Sequence, residues 1–114
     1  MAVVNQYKFY GTTLTTTDAT TLLTPSAAGA GAVETFIIKS FRVTNNTGNT
    51  PTITITNNDI NIVNAQTLVA NASTEILTLP LIVESSKSIK VTMSSTDSVS
   101  IGISYLNITQ EVTV

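Results

Sequence analysis

The chain has 114 residues, a net charge of −2, 42% apolar residues and only 11% charged ones. That length suits one domain with its own core, burying roughly 65% of the surface the unfolded chain exposes. The five cations, Lys8, Lys39, Arg42, Lys87 and Lys90, form no basic patch for nucleic acid, no run is apolar enough for a membrane helix, and the lack of Cys and His removes disulfides, thiol chemistry and the commonest general base.

Polarity comes from Thr, Ser and Asn instead of charge. Thr suits a pleated surface and Asn and Ser suit turns, so the composition points to an all-β chain. Residues 1–11 read as an N-terminal arm or edge strand, carrying Tyr7, Phe9 and Tyr10, half of the six aromatics. Residues 12–114 then form the folded domain. Within residues 11–24, GTTLTTTDATTLLT, two short strands broken near Asp18 are expected, with Leu14 and Leu22 turned inward. Pro25 ends that run, and residues 25–33, PSAAGAGAV, read as an exposed connecting loop around Gly29 and Gly31.

Residues 35–44, TFIIKSFRVT, are the most apolar strand. Phe36 and Ile38 share one parity and Phe41 and Val43 the other. Either a β-bulge near Lys39 and Ser40 or cover on both faces accounts for the slip. Residues 45–49, NNTGN, form a turn, and Pro51 opens a strand with Ile53 and Ile55 inward. Residues 57–59 turn again, before short strands near 60–63, 67–69 and 74–79, the last ended by Pro80. After the apolar step at 81–83 and a turn at 84–88, residues 88–106 alternate almost without error. Ile89, Val91, Met93, Val99, Ile101, Ile103 and Tyr105 fall on one face, the pattern of a half-buried hairpin. The tail from 107 extends the last strand or lies on a neighbour.

About eight antiparallel strands at short spacing predict a single β-sandwich, jelly-roll-like in order, with an immunoglobulin-like sandwich as the alternative. The Cys–Trp–Cys hallmark of antibody domains is absent.

No residue set speaks for catalysis, a cofactor or a metal. The seven acids, Asp18, Glu34, Asp59, Glu75, Glu84, Asp97 and Glu111, fall mostly one per segment at turns and strand ends. Residues 57–61, NNDIN, have the oxygen density of a calcium loop, but an Asx-rich turn explains them. Ser85, Ser86 and Ser88 flank Lys87 in a polar turn that keeps the lysine protonated. Sequons at Asn45, Asn71 and Asn107 arise readily in so Asn- and Thr-rich a chain. The opening MAVVNQYKFY lacks the layout of a secretory signal, so assembly in a cytoplasm is expected.

The succession GTTLTTTDATTLLTP, FIIKSFRVTNNTG, EILTLPLIVESSKSIKVTMSS and VSIGISYLNIT resembles a group of small virion proteins of tailed bacteriophages. That group has a "TLYT-P" opening, a "VKSIRVTN" strand and a closing "L-LEAGDSLKV…SYLEI". The resemblance covers about residues 11–109 and departs at residues 84–88, ESSKS, where the group has Glu-Ala-Gly-Asp. It implies a non-enzymatic structural protein of the virion, foremost a capsid decoration or cement protein. Such proteins sit on the outer shell, often as homotrimers, bound to the major capsid protein or other virion proteins. Tyr7, Phe9 and Tyr10 would then be shell or trimer contacts. A neck, tail or fibre protein is the alternative within the class, and a carbohydrate-binding adhesin module the alternative outside it.

Overall fold

The computed structural model describes residues 3–27 and 31–111. Part of the glycine loop, residues 28–30, and the last three residues of the tail lie outside the described residues. Nine strands follow in order: β1 (Val3–Leu14), β2 (Thr20–Leu23), β3 (Ala32–Asn45), β4 (Thr52–Asn57), β5 (Ile60–Thr67), β6 (Ser73–Glu75), β7 (Leu81–Val83), β8 (Ile89–Met93) and β9 (Val99–Glu111).

They form two antiparallel sheets. One has the order β1-β9-β3, with β6 and β7 end to end along the far edge of β3, and the other has the order β2-β8-β4-β5. The topology becomes simple once β6 and β7 are taken as one interrupted strand. An antiparallel ribbon with β1 on β9, β2 on β8, β3 on β6/β7 and β4 on β5 rolls up until β3 meets β9 and β4 meets β8. That is the jelly roll, in which two Greek keys close a sandwich. The ninth strand arises from the break between β6 and β7, which contains Pro80, a residue that cannot donate to a ladder.

The alternating residues meet between the sheets. Val99, Ile101, Ile103 and Tyr105 of β9 face Ile89, Val91 and Met93 of β8 and Ile53 and Ile55 of β4, all buried. The parity slip in β3 is a bulge: the register with β9 shifts between Ile38 and Ser40, and Phe36, Ile38, Phe41 and Val43 all stay inside. The carboxylate of Glu75 holds this bulge, accepting from the Phe41 N–H at 2.6 Å and from the Ser40 hydroxyl at 2.8 Å.

Residues 88–106 are not a hairpin. β8 pairs with β2 and β4 in one sheet, while β9 pairs with β1 and β3 in the other. The Ser94 to Ser98 link therefore arches across the core. A hairpin and an arch share the same turn residues and the same alternation; they differ in whether the two apolar faces lie side by side or face each other. β3 and β4 are joined by a similar arch, organised by buried Asn45. Its amide donates to the carbonyls of Asn49 (2.7 Å) and Val69 (3.3 Å), and its oxygen accepts from the N–H and hydroxyl of Thr47. The tight hairpin is β4–β5, where Asn58 and Asp59 both have positive φ, as a two-residue type I′ turn requires. β5 also runs unbroken through residues 60–67, where two separate short strands were expected.

Strand lengths set the shape. β1, β3 and β9 have 12, 14 and 13 residues, whereas the second sheet has strands of four to eight. The long sheet overruns the short one, and the molecule measures 53 × 22 × 20 Å.

Candidate functional site

The second sheet packs on the inner face of the long sheet, and no described element covers the outer face. Register places side chains on it in rows. Tyr7 of β1 lies opposite Leu106 of β9, Leu106 opposite Ile37 of β3, and Ile37 opposite Ile82 of β7. This apolar row crosses four strands, about 14 Å. Tyr7 is 80% exposed and Ile82 58%, with Leu106 and Ile37 half-buried between them. On one side lies the row Asn5, Ile108, Thr35, and beyond it Val3, Gln110, Val33. On the other side come Phe9, Ser104, Ser40 and then Gly11, Gly102, Arg42.

The glycine pair makes a trough. No side chain rises from Gly11 or Gly102, and the tip of the Phe9 ring fills part of the space. A Cβ on Gly11 would stand 2.9 Å from the ring, and one on Gly102 3.1 Å. Phe9 and Arg42 flank a shallow hollow of about 310 Å³ with Ser40, Thr44, Ser100 and Ser104 along its floor. Among the described residues Arg42 forms no ion pair; the one bridge within 4 Å joins Lys90 and Asp59.

Of the three aromatic candidates, Tyr7 and Phe9 share this outer face. Tyr10 does not. Its parity turns it inward, where it is half-buried and packs against the core. The strand that carries them is fully paired: residues 3–14 of β1 run in unbroken register with residues 99–110 of β9.

Several polar groups elsewhere are committed to structure. Glu34 accepts from the Ser26 N–H at 3.0 Å and from the buried Asn107 amide at 2.8 Å. Burial alone pushes Glu34 up, but these hydrogen bonds and nearby Lys8 outweigh it and hold its carboxyl below the usual range. Tyr105, whose ring packs tilted against Phe36 with centroids 4.7 Å apart, is pushed up by burial and by Glu34. Asp97 is held low by hydrogen bonds from Asn49 and Ser95 in the β8–β9 arch. The Ser85 hydroxyl donates to the Glu34 carbonyl at 2.6 Å, and the Ser88 hydroxyl, next to Lys87, pairs with that of Thr24 at 2.8 Å. Asn57 and Asn58, with Ile60, Ile82, Glu84 and Lys87, line a second hollow of about 170 Å³, across which the Asn57 amide donates to the Ile82 carbonyl. Among the described residues no three acids gather as a metal site. Asn45 and Asn107 are buried and engaged in hydrogen bonds, so neither sequon is open to a glycan in the folded chain.

Alternation alone misses the apolar row. Ile37, Leu106 and Ile82 each sit on the outward parity of an otherwise amphipathic strand, in three segments far apart in sequence. Only the register aligns them with Tyr7. No known family model matches this chain, and no curated protein matches it in sequence.

Proposed function

We propose that this chain is a non-enzymatic structural protein of a tailed-bacteriophage virion, a decoration or cement protein that binds the outer capsid shell and stabilises it. It docks through the outer face of the long sheet. The observation that carries the reading is the row Tyr7, Leu106, Ile37, Ile82, with Phe9 beside it. A contiguous apolar band on an otherwise Thr- and Ser-rich surface marks an interaction face, and tyrosine is enriched where binding energy concentrates. The resemblance of residues 11–109 to small virion proteins supplies the partner, the major capsid protein or another shell component. Each contact can be weak, because a preassembled lattice offers many sites to many copies.

The test is co-sedimentation with shells. Removing residues 1–10 is a poor probe, since it would strip β9 of its partner along residues 103–110. Point changes on the face are cleaner. The pair Tyr7→Ser and Ile82→Ser should weaken binding at least about tenfold while the melting temperature stays within a few degrees. The change Ile60→Ser, on exposed β5 of the other sheet, should leave binding unaltered. Full binding by the Tyr7/Ile82 pair refutes the docking face. A glycan-binding module is the second reading, favoured by the hydroxyl-floored hollow between Phe9 and Arg42. A glycan array without hits disposes of it.

A further inference from the structure

Four edges bound the two sheets: β1 and the β6/β7 line in one, β2 and β5 in the other. Exposed edges offer unpaired backbone groups to any passing strand, and proteins blunt them with short strands, bulges, prolines and charges. Three of these edges are blunted. β2 has four residues, and its register slips between Thr21 and Leu23. β5 slips twice against β4, and Ala65 within it has φ of 47°. β6 and β7 have three residues each, and Pro80 stands in the gap between them. β1 has none of these devices. It runs twelve residues in one register, contains no proline, and carries a single charge, Lys8. Residues 3–9 are exposed on both faces of the strand.

We propose that β1 is a self-association edge, pairing antiparallel with β1 of a second copy about a two-fold axis near Tyr7. For antiparallel edges the axis stands normal to the sheet, so both inner faces lie on the same side and even residues pair with even, odd with odd. An axis at Lys8 sets two ammonium groups directly opposite, which is repulsive. An axis at Phe9 draws in residues 12–14, where Leu14 is already buried and the chain turns toward β2. An axis at Tyr7 uses residues 3–11, which include the whole exposed stretch 3–9. It places Lys8 opposite Gln6 of the second copy, Tyr10 opposite Val4, Phe9 opposite Asn5, and Tyr7 on its own mate. A second copy suits this edge because that register sets no like charges directly opposite, each Lys8 facing a neutral Gln6, and the chain's net charge of only −2 opposes self-association weakly. The outer apolar rows of the two copies then join at Tyr7 into one band.

The dimer stands apart from the shell reading, since the edge can pair whether or not the face docks. Sedimentation equilibrium over a concentration series should show the 12.0 kDa chain passing to twice that mass. Changing the sign of charge at position 6 tests the register. The change Gln6→Glu sets two Glu–Lys pairs across the edge and should tighten the dimer roughly two- to thirtyfold; Gln6→Lys sets like charges opposite and should weaken it by a similar factor. Gln6 is exposed, so both variants should melt like the parent. A chain that stays monomeric at all concentrations, a trimer, or a dimer indifferent to the sign at position 6 overturns the proposal. Shell binding measured on the same variants separates the two ideas: a chain that binds shells but stays monomeric, or whose dimer ignores the sign at position 6, refutes this edge alone.

Discussion

Asn45 is a polar side chain only 1% exposed, at the point where β3 leaves one sheet for the other. All of its hydrogen-bonding capacity is used within the β3–β4 arch and the chain after β5. Removing it strands buried partners, and that costs more than the net value of a single hydrogen bond. The change Asn45→Ala should cost about 2 kcal/mol in a urea melt, with no change in the shape of the far-ultraviolet circular dichroism spectrum. Glu34 ties a second buried amide, Asn107, to the loop at Ser26. Its carboxyl is held below its ordinary value of 4.5, so the folded state favours the ionised form. The stability this contributes is complete above that ordinary value and fades as the pH falls through the lower folded one. Melting temperature should therefore drop on acidification below about pH 4.5. The Glu34→Gln variant should start lower at neutral pH and fall less steeply across that window. A variant curve parallel to the parent's would show that Glu34 does not contribute.

Strand order and strand interior were not equally open to inspection in the sequence. The inward residues of β8 and β9 follow from period-two alternation, and the bulge in β3 follows from the change of parity after Ile38. The sheet to which each strand belongs does not follow. Ser94 to Ser98 is an equally good link within a sheet or across one, and alternation says which way a side chain points without saying what it points at. The bulge also has a partner that sequence alone conceals, since Glu75 lies 34 residues beyond the Phe41 N–H it accepts from. Deleting that carboxylate leaves the extra residue's neighbours short of an acceptor. The change Glu75→Ala should cost about 1–2 kcal/mol. Hydrogen exchange should accelerate at Phe41 more than at Val43, which sits in regular pairing two residues away.

At the scale of the molecule, packing of two sheets leaves the outer face of the long one as the proposed docking surface. The short sheet covers only the inner face, so Tyr7, Phe9 and Ile82 stand out on the other. Tyr7 and Phe9 were legible as candidates because aromatics are scarce in this chain. Their companions were not, because Ile37, Leu106 and Ile82 become neighbours only through pairing across β9, β3 and β7. Tyr10, chosen on the same composition, belongs to the core side by its parity.

A cryo-electron microscopy map of shells decorated with this chain tests the docking face directly. The account predicts that the β1-β9-β3-β7 face lies against the shell, with Tyr7, Leu106, Ile37 and Ile82 inside the contact and the β2-β8-β4-β5 sheet turned outward. A map in which that apolar row faces solvent, or in which the chain does not bind the shell at all, would contradict it.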